Sequence, residues 1–79
     1  MSSIQVTIVI QACQKAILEA LRSRPRTFGE LFDHCGLQDG GRVGTTSHDR
    51  ILDRSLQGLR RHKDIAYDRK TGCWQLVGA

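Results

Sequence analysis

The run Ser47-His-Asp-Arg-Ile-Leu-Asp-Arg-Ser-Leu-Gln-Gly-Leu-Arg-Arg-His62 leads, after Lys63-Asp64, into two short apolar stretches. These are Ile65-Ala-Tyr67 and Cys73-Trp-Gln-Leu-Val77, separated by Asp68-Arg-Lys-Thr-Gly72. In the long run Ile51, Leu52, Leu56 and Leu59 recur at helical spacing, and Thr46 or Ser47 can cap its start. The two short stretches alternate apolar and polar residues about a polar turn, which predicts a β-hairpin with a basic tip. A helix leading straight into a hairpin is the decisive feature.

Upstream, Ala12 to Leu21 consists of good helix formers, with Cys13, Ala16, Ile17, Ala20 and Leu21 on one face and Pro25 as the stop. Thr27-Phe-Gly-Glu30 reads as a capping box. It opens a short second helix, Phe28 to Cys35, expected to bury Phe28, Leu31, Phe32 and Cys35, with Gly36 following its end. Residues 36–47 hold four glycines and show no periodicity, so a flexible loop is expected there.

The whole chain has 79 residues, which allows one small domain. Apolar residues make up 39% and charged residues 25%, ordinary usage for a folded protein. Three cysteines without CxxC spacing make a poor disulfide framework, and the chain is expected to be intracellular. No uninterrupted apolar run of about 18 residues occurs, so no membrane partner is expected. The net charge of +4 is uneven. Residues 1–41 balance Lys15, Arg22, Arg24 and Arg26 against Glu19, Glu30, Asp33 and Asp39, so the excess lies in residues 42–79. Such asymmetry points to an anionic partner.

Three helices followed by a two-stranded hairpin wing, an α+β arrangement, resemble a winged helix. The carriers of that resemblance are the Leu52/Leu56/Leu59 stripe, the polar turn Arg60-Arg-His-Lys63, and the hairpin with Trp74 in its second strand. The resemblance covers residues 12–77 within a domain taken as 12–79. It implies a further short strand around Arg26 to Phe28 and a role in binding DNA. One departure is the long connection after Gly36, where winged helices usually have a short turn.

Residues 1–11 form a separate apolar segment with two readings. Ile4, Val6, Ile8 and Ile10 alternate as in a strand. Equally, Ser2 or Ser3 can cap an extension of the first helix that turns Val6 and Ile10 to the core and Ile4 and Ile8 outward. Either form leaves apolar surface, so Ile4 and Ile8 are the candidate contacts of a homodimer.

The candidate DNA-binding residues follow from a helical wheel. With Leu52 at 0° and about 100° per residue, Gln57, Arg50, Arg61 and Arg54 fall between about 140° and 200°, opposite the core stripe. Arginine bonds guanine edges bidentately and glutamine bonds adenine, which is what a major-groove reader of double-stranded DNA needs. Lys63 at the helix end and Arg69 and Lys70 at the hairpin tip are placed to meet phosphates. The plainer reading is a solvated face in which Asp49 and Asp53 pair with Arg50, Arg54 or Arg60. Tyr67 and Trp74 are expected as lids over the core, with base stacking as the alternative. Arg22, Arg24 and Arg26 are either phosphate contacts or solvated loop residues.

Enzymatic chemistry is not expected. No nucleophile elbow or HExxH pattern occurs, and Gly40-Gly-Arg-Val-Gly44-Thr-Thr-Ser47 lacks the lysine of a phosphate-binding loop. The amide end of the third helix is a simpler phosphate acceptor. Cys35 and Cys73 with His34 or His62 would be the available metal set, but reduced thiols in a core are the simpler reading. No cofactor, metal or small-molecule substrate is therefore expected.

The alternative function is protein binding. Thr27-Phe-Gly-Glu-Leu-Phe-Asp33 and Leu56-Gln-Gly-Leu-Arg-Arg-His-Lys-Asp-Ile-Ala-Tyr67 resemble two stretches of the Costars family, shared with actin-binding Rho-activating proteins. That resemblance implies an actin-associated module without nucleic-acid binding. It covers about a third of the chain, and this chain has the added loop and a shorter leading segment.

Overall fold

The computed structural model describes residues 3–77, with Ser3 described in its backbone only. Its elements run α1 (Ser3–Ser23), α2 (Phe28–His34), β1 (Arg42–Val43), β2 (Thr46–Ser47), α3 (His48–Arg61), β3 (Ile65–Asp68) and β4 (Cys73–Leu76). Three helices precede an antiparallel hairpin, an α+β arrangement compatible with a winged helix.

The core is assembled from the predicted stripes. Cys13, Ile17, Ala20 and Leu21 of α1 meet Ile51, Leu52, Leu56 and Leu59 of α3, with Leu31, Ile65 and Trp74 closing the cluster. Gly58 of α3 lies against the side chain of Gln14 on α1. A Cβ at Gly58 would lie 2.5 Å from the Gln14 amide nitrogen. Ser55 is fully buried, and its hydroxyl donates to the Ile51 carbonyl at 2.7 Å, so its burial leaves no unmet polar group. Gln14 donates from Nε2 to the Ser55 carbonyl at 3.3 Å.

Residues 3–11 extend the first helix, and the strand alternative is excluded. Val9 and Ile10 pack against the core while Ile4 and Ile8 stand 72% and 59% exposed. The Ser2 cap lies outside the described residues. By length and hydropathy, Ile4–Ser23 is long and apolar enough to cross a membrane, although scattered polar residues hide this from a search for an unbroken apolar run. Cys13, Ile17, Ala20 and Leu21 in that span are buried core residues.

At α2 the capping box forms as expected. Thr27 Oγ1 accepts from the Glu30 amide at 3.2 Å, and Glu30 Oε1 accepts from the Thr27 amide at 2.9 Å. This bond, with Arg24 beside it, holds the Glu30 carboxyl below the usual carboxylate range. The helix closes at Gly36, whose φ of 73° is left-handed, with Gly36 N–H on the Asp33 carbonyl and Leu37 N–H on that of Phe32. That closure turns Leu37 into the core, a core residue the periodicity did not show. Phe28, expected to be buried, is 39% exposed. It opens the helix at the margin of the core and stacks on Phe32, with ring centroids 6.4 Å apart.

The connection after Gly36 is not a featureless loop. Arg42 pairs with Ser47 and Val43 with Thr46, around a two-residue turn whose first member, Gly44, has φ of 62°. Glycine at that position is what a tight hairpin of this kind requires. His48 anchors the hairpin to α3: its Nδ1 accepts from the Gln38 amide at 2.9 Å and its amide donates to the Gly41 carbonyl at 2.9 Å. Strands of two residues carry too little alternation to be read from sequence.

In the main hairpin the register is Ile65↔Leu76, Ala66↔Gln75, Tyr67↔Trp74 and Asp68↔Cys73. The further strand implied near Arg26 is a single bridge to Trp74, made by two backbone bonds of 3.0 and 2.7 Å. This bridge sets the hairpin beside the helices. Ile65, Tyr67 and Trp74 share one face of the sheet, but only Ile65 and Trp74 are buried. Tyr67 lies nearer the tip and is 48% exposed, so it is no core lid.

Candidate nucleic-acid interface

The candidate residues lie on α3 and the β3–β4 hairpin. Ser47 caps α3 by accepting from the Arg50 amide at 3.3 Å, and Arg60 and Arg61 occupy the last turn, where cations oppose the helix dipole. Burial of Ile51, Leu52, Ser55, Leu56 and Leu59 turns the opposite face outward. On it Arg50, Arg54 and Arg61 are exposed, and Gln57 is half-buried at the edge nearer the hairpin.

Lys63 lies just beyond the C-cap with φ of 64°, the one non-glycine residue with positive φ among those described. Its amide donates to the Arg60 carbonyl at 2.9 Å and that of Asp64 to Leu59 at 3.0 Å, closing the helix before β3. At the tip, Asp68 Oδ1 accepts from the Lys70 amide at 2.9 Å and the Asp68 carbonyl from the Gly72 amide at 2.8 Å. Those bonds shape the turn and leave the Arg69 and Lys70 side chains exposed.

The structure brings some of these residues together. Gln57 and Arg69 line one open groove of 470 Å³ between α3 and the hairpin, with Arg60, Tyr67 and Trp74. Arg50, Arg54 and Arg61 lie outside it on the outer face of α3. Arg60 also lines this groove, beyond the polar turn and the ion pair that the sequence suggests for it. On the wheel it sits at about 80°, a flank that becomes functional only if the hairpin packs on that side.

The ion pairs of the solvated-face reading do not form. The sole salt bridge among the described residues joins Arg24 to Glu30 at 3.1 Å, far from α3 in sequence. Arg50, Arg54, Arg60, Arg61, Lys63, Arg69 and Lys70 carry no carboxylate partner there. Asp49 instead lines a second groove with Glu30, Asp33 and Asp39, around Phe28 and Phe32. At the amide end of α3, Ser47 already accepts from the Arg50 amide and Asp49 stands in the first turn, both of which disfavour a phosphate there. Arg26 is no free cation either, since its guanidinium bonds the Ala20 carbonyl and Ser23 Oγ, both at 3.0 Å.

The cysteines are thiols. Cys35 Sγ donates to the Cys13 carbonyl at 3.8 Å, and burial, with Cys13 alongside, pushes the Cys35 thiol up to about 12. Burial raises Cys13 as well. Among the described residues no group of three or more His, Cys, Asp or Glu stands together as a metal set.

Comparison with protein-family models, curated proteins and solved structures finds no match to this chain. Neither the winged-helix nor the Costars resemblance gains support from relatives.

Proposed function

We propose that this chain is a winged-helix protein that binds double-stranded DNA and acts in the regulation of transcription or another DNA transaction. The observation that supports this reading is the set of exposed cations on α3 and the hairpin that no carboxylate pairs among the described residues. In this reading α3 enters the major groove, with Arg50, Arg54, Gln57 and Arg61 toward base edges. Lys63, Arg69 and Lys70 hold phosphates, and Arg60 joins them from the groove. No catalytic step or cofactor is needed, and the cell interior is the matching location.

The test is a titration of labelled mixed-sequence duplex at about 50 and about 200 mM salt, where log K falls by about 0.9 per phosphate contact for each decade of salt. Four contacts predict a loss of about 150-fold over that interval. Absence of binding at the lower salt refutes the reading.

A second reading, a protein-binding winged helix, is favoured by one observation: Ile4, Ile8 and Phe28 are large apolar side chains in water. A homodimer through Ile4 and Ile8 is compatible with both readings. It would give a DNA-binding form two half-sites related by its two-fold axis. Solution mass settles it: a dimer that Ile4→Gln with Ile8→Gln reduces to half its mass supports the contact, and a wild-type monomer excludes it.

A further inference from the structure

Tyr67 has no task in the interface described above, yet its setting is specific. It faces Trp74 across the hairpin, with ring centroids 5.1 Å apart and planes tilted by 56°. Trp74 is buried beneath it, while about half of the tyrosine remains open to solvent. The two rings, Gln57, Arg60 and Arg69 line the 470 Å³ groove, a volume within the range of about 300–1,000 Å³ usual for small-molecule clefts. No carboxylate lines it. Among the described residues the side chains of Gln57, Arg60, Tyr67 and Arg69 have no hydrogen-bond or ion-pair partner.

A nucleotide asks three things of a site: a flat surface for the base, polar groups for its edge and cations for its phosphate. Here Tyr67 offers the surface, and Arg60 with Arg69 the cations. Gln57, at the border of the groove and the outer face of α3, has a carboxamide that both donates and accepts and can read the first unpaired base in place of a duplex base. Inside a duplex each base face is covered by its neighbours. Only an unpaired or terminal base can stack on a protein ring.

Resting on the DNA-binding reading, we infer that this groove takes one unpaired nucleotide, its base on Tyr67 and its phosphate at Arg60 and Arg69. The preferred substrate class is then duplex DNA bearing a single-stranded overhang or fork, with the duplex on α3 and the first unpaired base beside the hairpin.

The experiment compares a blunt duplex with the same duplex carrying a short 5′ or 3′ overhang, by anisotropy of a label on the DNA. Emission of Trp74, the only tryptophan of the chain, is followed in parallel. Stacking on one aromatic ring predicts about 5- to 150-fold tighter binding of one overhang polarity, with Trp74 emission changed by that DNA and not by the blunt one. Tyr67→Phe should keep the preference, while Tyr67→Ala should abolish it and leave blunt-duplex affinity unchanged. Equal affinity for blunt and overhanging DNA overturns the inference, as does a preference that survives Tyr67→Ala, while the DNA-binding reading stands. Failure to bind either DNA at low salt overturns both.

Discussion

Removing both cations of the hairpin tip, Arg69→Ala with Lys70→Ala, isolates the electrostatic part of the proposed interface. The turn that carries them is held by backbone bonds to Asp68 and by its carboxylate on the Lys70 amide, none of which needs either side chain. Both residues are exposed and unpaired, so stability should move by no more than about 0.5 kcal/mol. If each contacts one phosphate, the slope of log K against log salt becomes less negative by about 1.8. Over a fourfold change in salt this is a factor of about 12: the double variant loses about 12-fold less of its affinity than the wild type between about 50 and 200 mM. Asp68 adds a second effect. With both cations gone its carboxylate leaves the tip net negative, so affinity at low salt should fall by more than the two contacts alone. Anisotropy titrations of one duplex at four or five salt concentrations measure both quantities. An unchanged slope would refute the placement of the hairpin on the DNA backbone, whatever happened to the affinity.

Other outcomes follow from particular residues. Arg54→Ala and Arg61→Ala should each weaken binding to the preferred site by about 1–3 kcal/mol with the fold retained, measured by titration against preferred and scrambled duplexes; unchanged affinity in both would remove α3 from the interface. Leu56→Ala, at a position 1% exposed, should cost about 2–5 kcal/mol in denaturant melts, a large share of the roughly 4–12 kcal/mol expected of a chain this long. Lys63→Gly relieves the left-handed backbone, so melting should show equal or higher stability while DNA affinity falls, a split that a purely structural lysine would not produce. Above about pH 9 an unfolded Cys35 thiol ionises while the folded one, held up to about 12, keeps its proton. The unfolded state then binds fewer protons, so stability should fall as pH rises from about 9 to 12. Urea midpoints should show a smaller fall in Cys35→Ala; an identical pH dependence in that variant would contradict the assignment.

Much of this architecture was legible along the chain because its signals are local. The α3 stripe is a repeat of Ile51, Leu52, Leu56 and Leu59 with nothing to interrupt it, and the Thr27–Glu30 box needs only four residues to be recognised. The β3–β4 hairpin follows from alternation about a polar turn. Where signals were short or depended on position at the edge of the core, reading failed. Strands β1 and β2 have two residues each, and the turn between them depends on the backbone of Gly44. Phe28 and Tyr67 carry the right periodicity for burial but sit where the core ends. Periodicity reports a face, and says nothing about whether another element covers it.

The sequence by itself determined three helices, a hairpin wing, the burial of the leucine stripe and therefore the outward turn of Arg50, Arg54 and Arg61. These follow from spacing, because a side chain's angle around a helix is set by its position along the chain. The settling of residues 3–11 as helix, the missing ion pairs of Asp49 and Asp53, and the groove that joins Arg60 to Arg69 were decided only by the tertiary structure. For the groove the physical reason lies in the bridge between Arg26 and Trp74, which sets the hairpin against one flank of α3. Which flank that would be depends on contacts between residues 48 positions apart, and no local pattern encodes it.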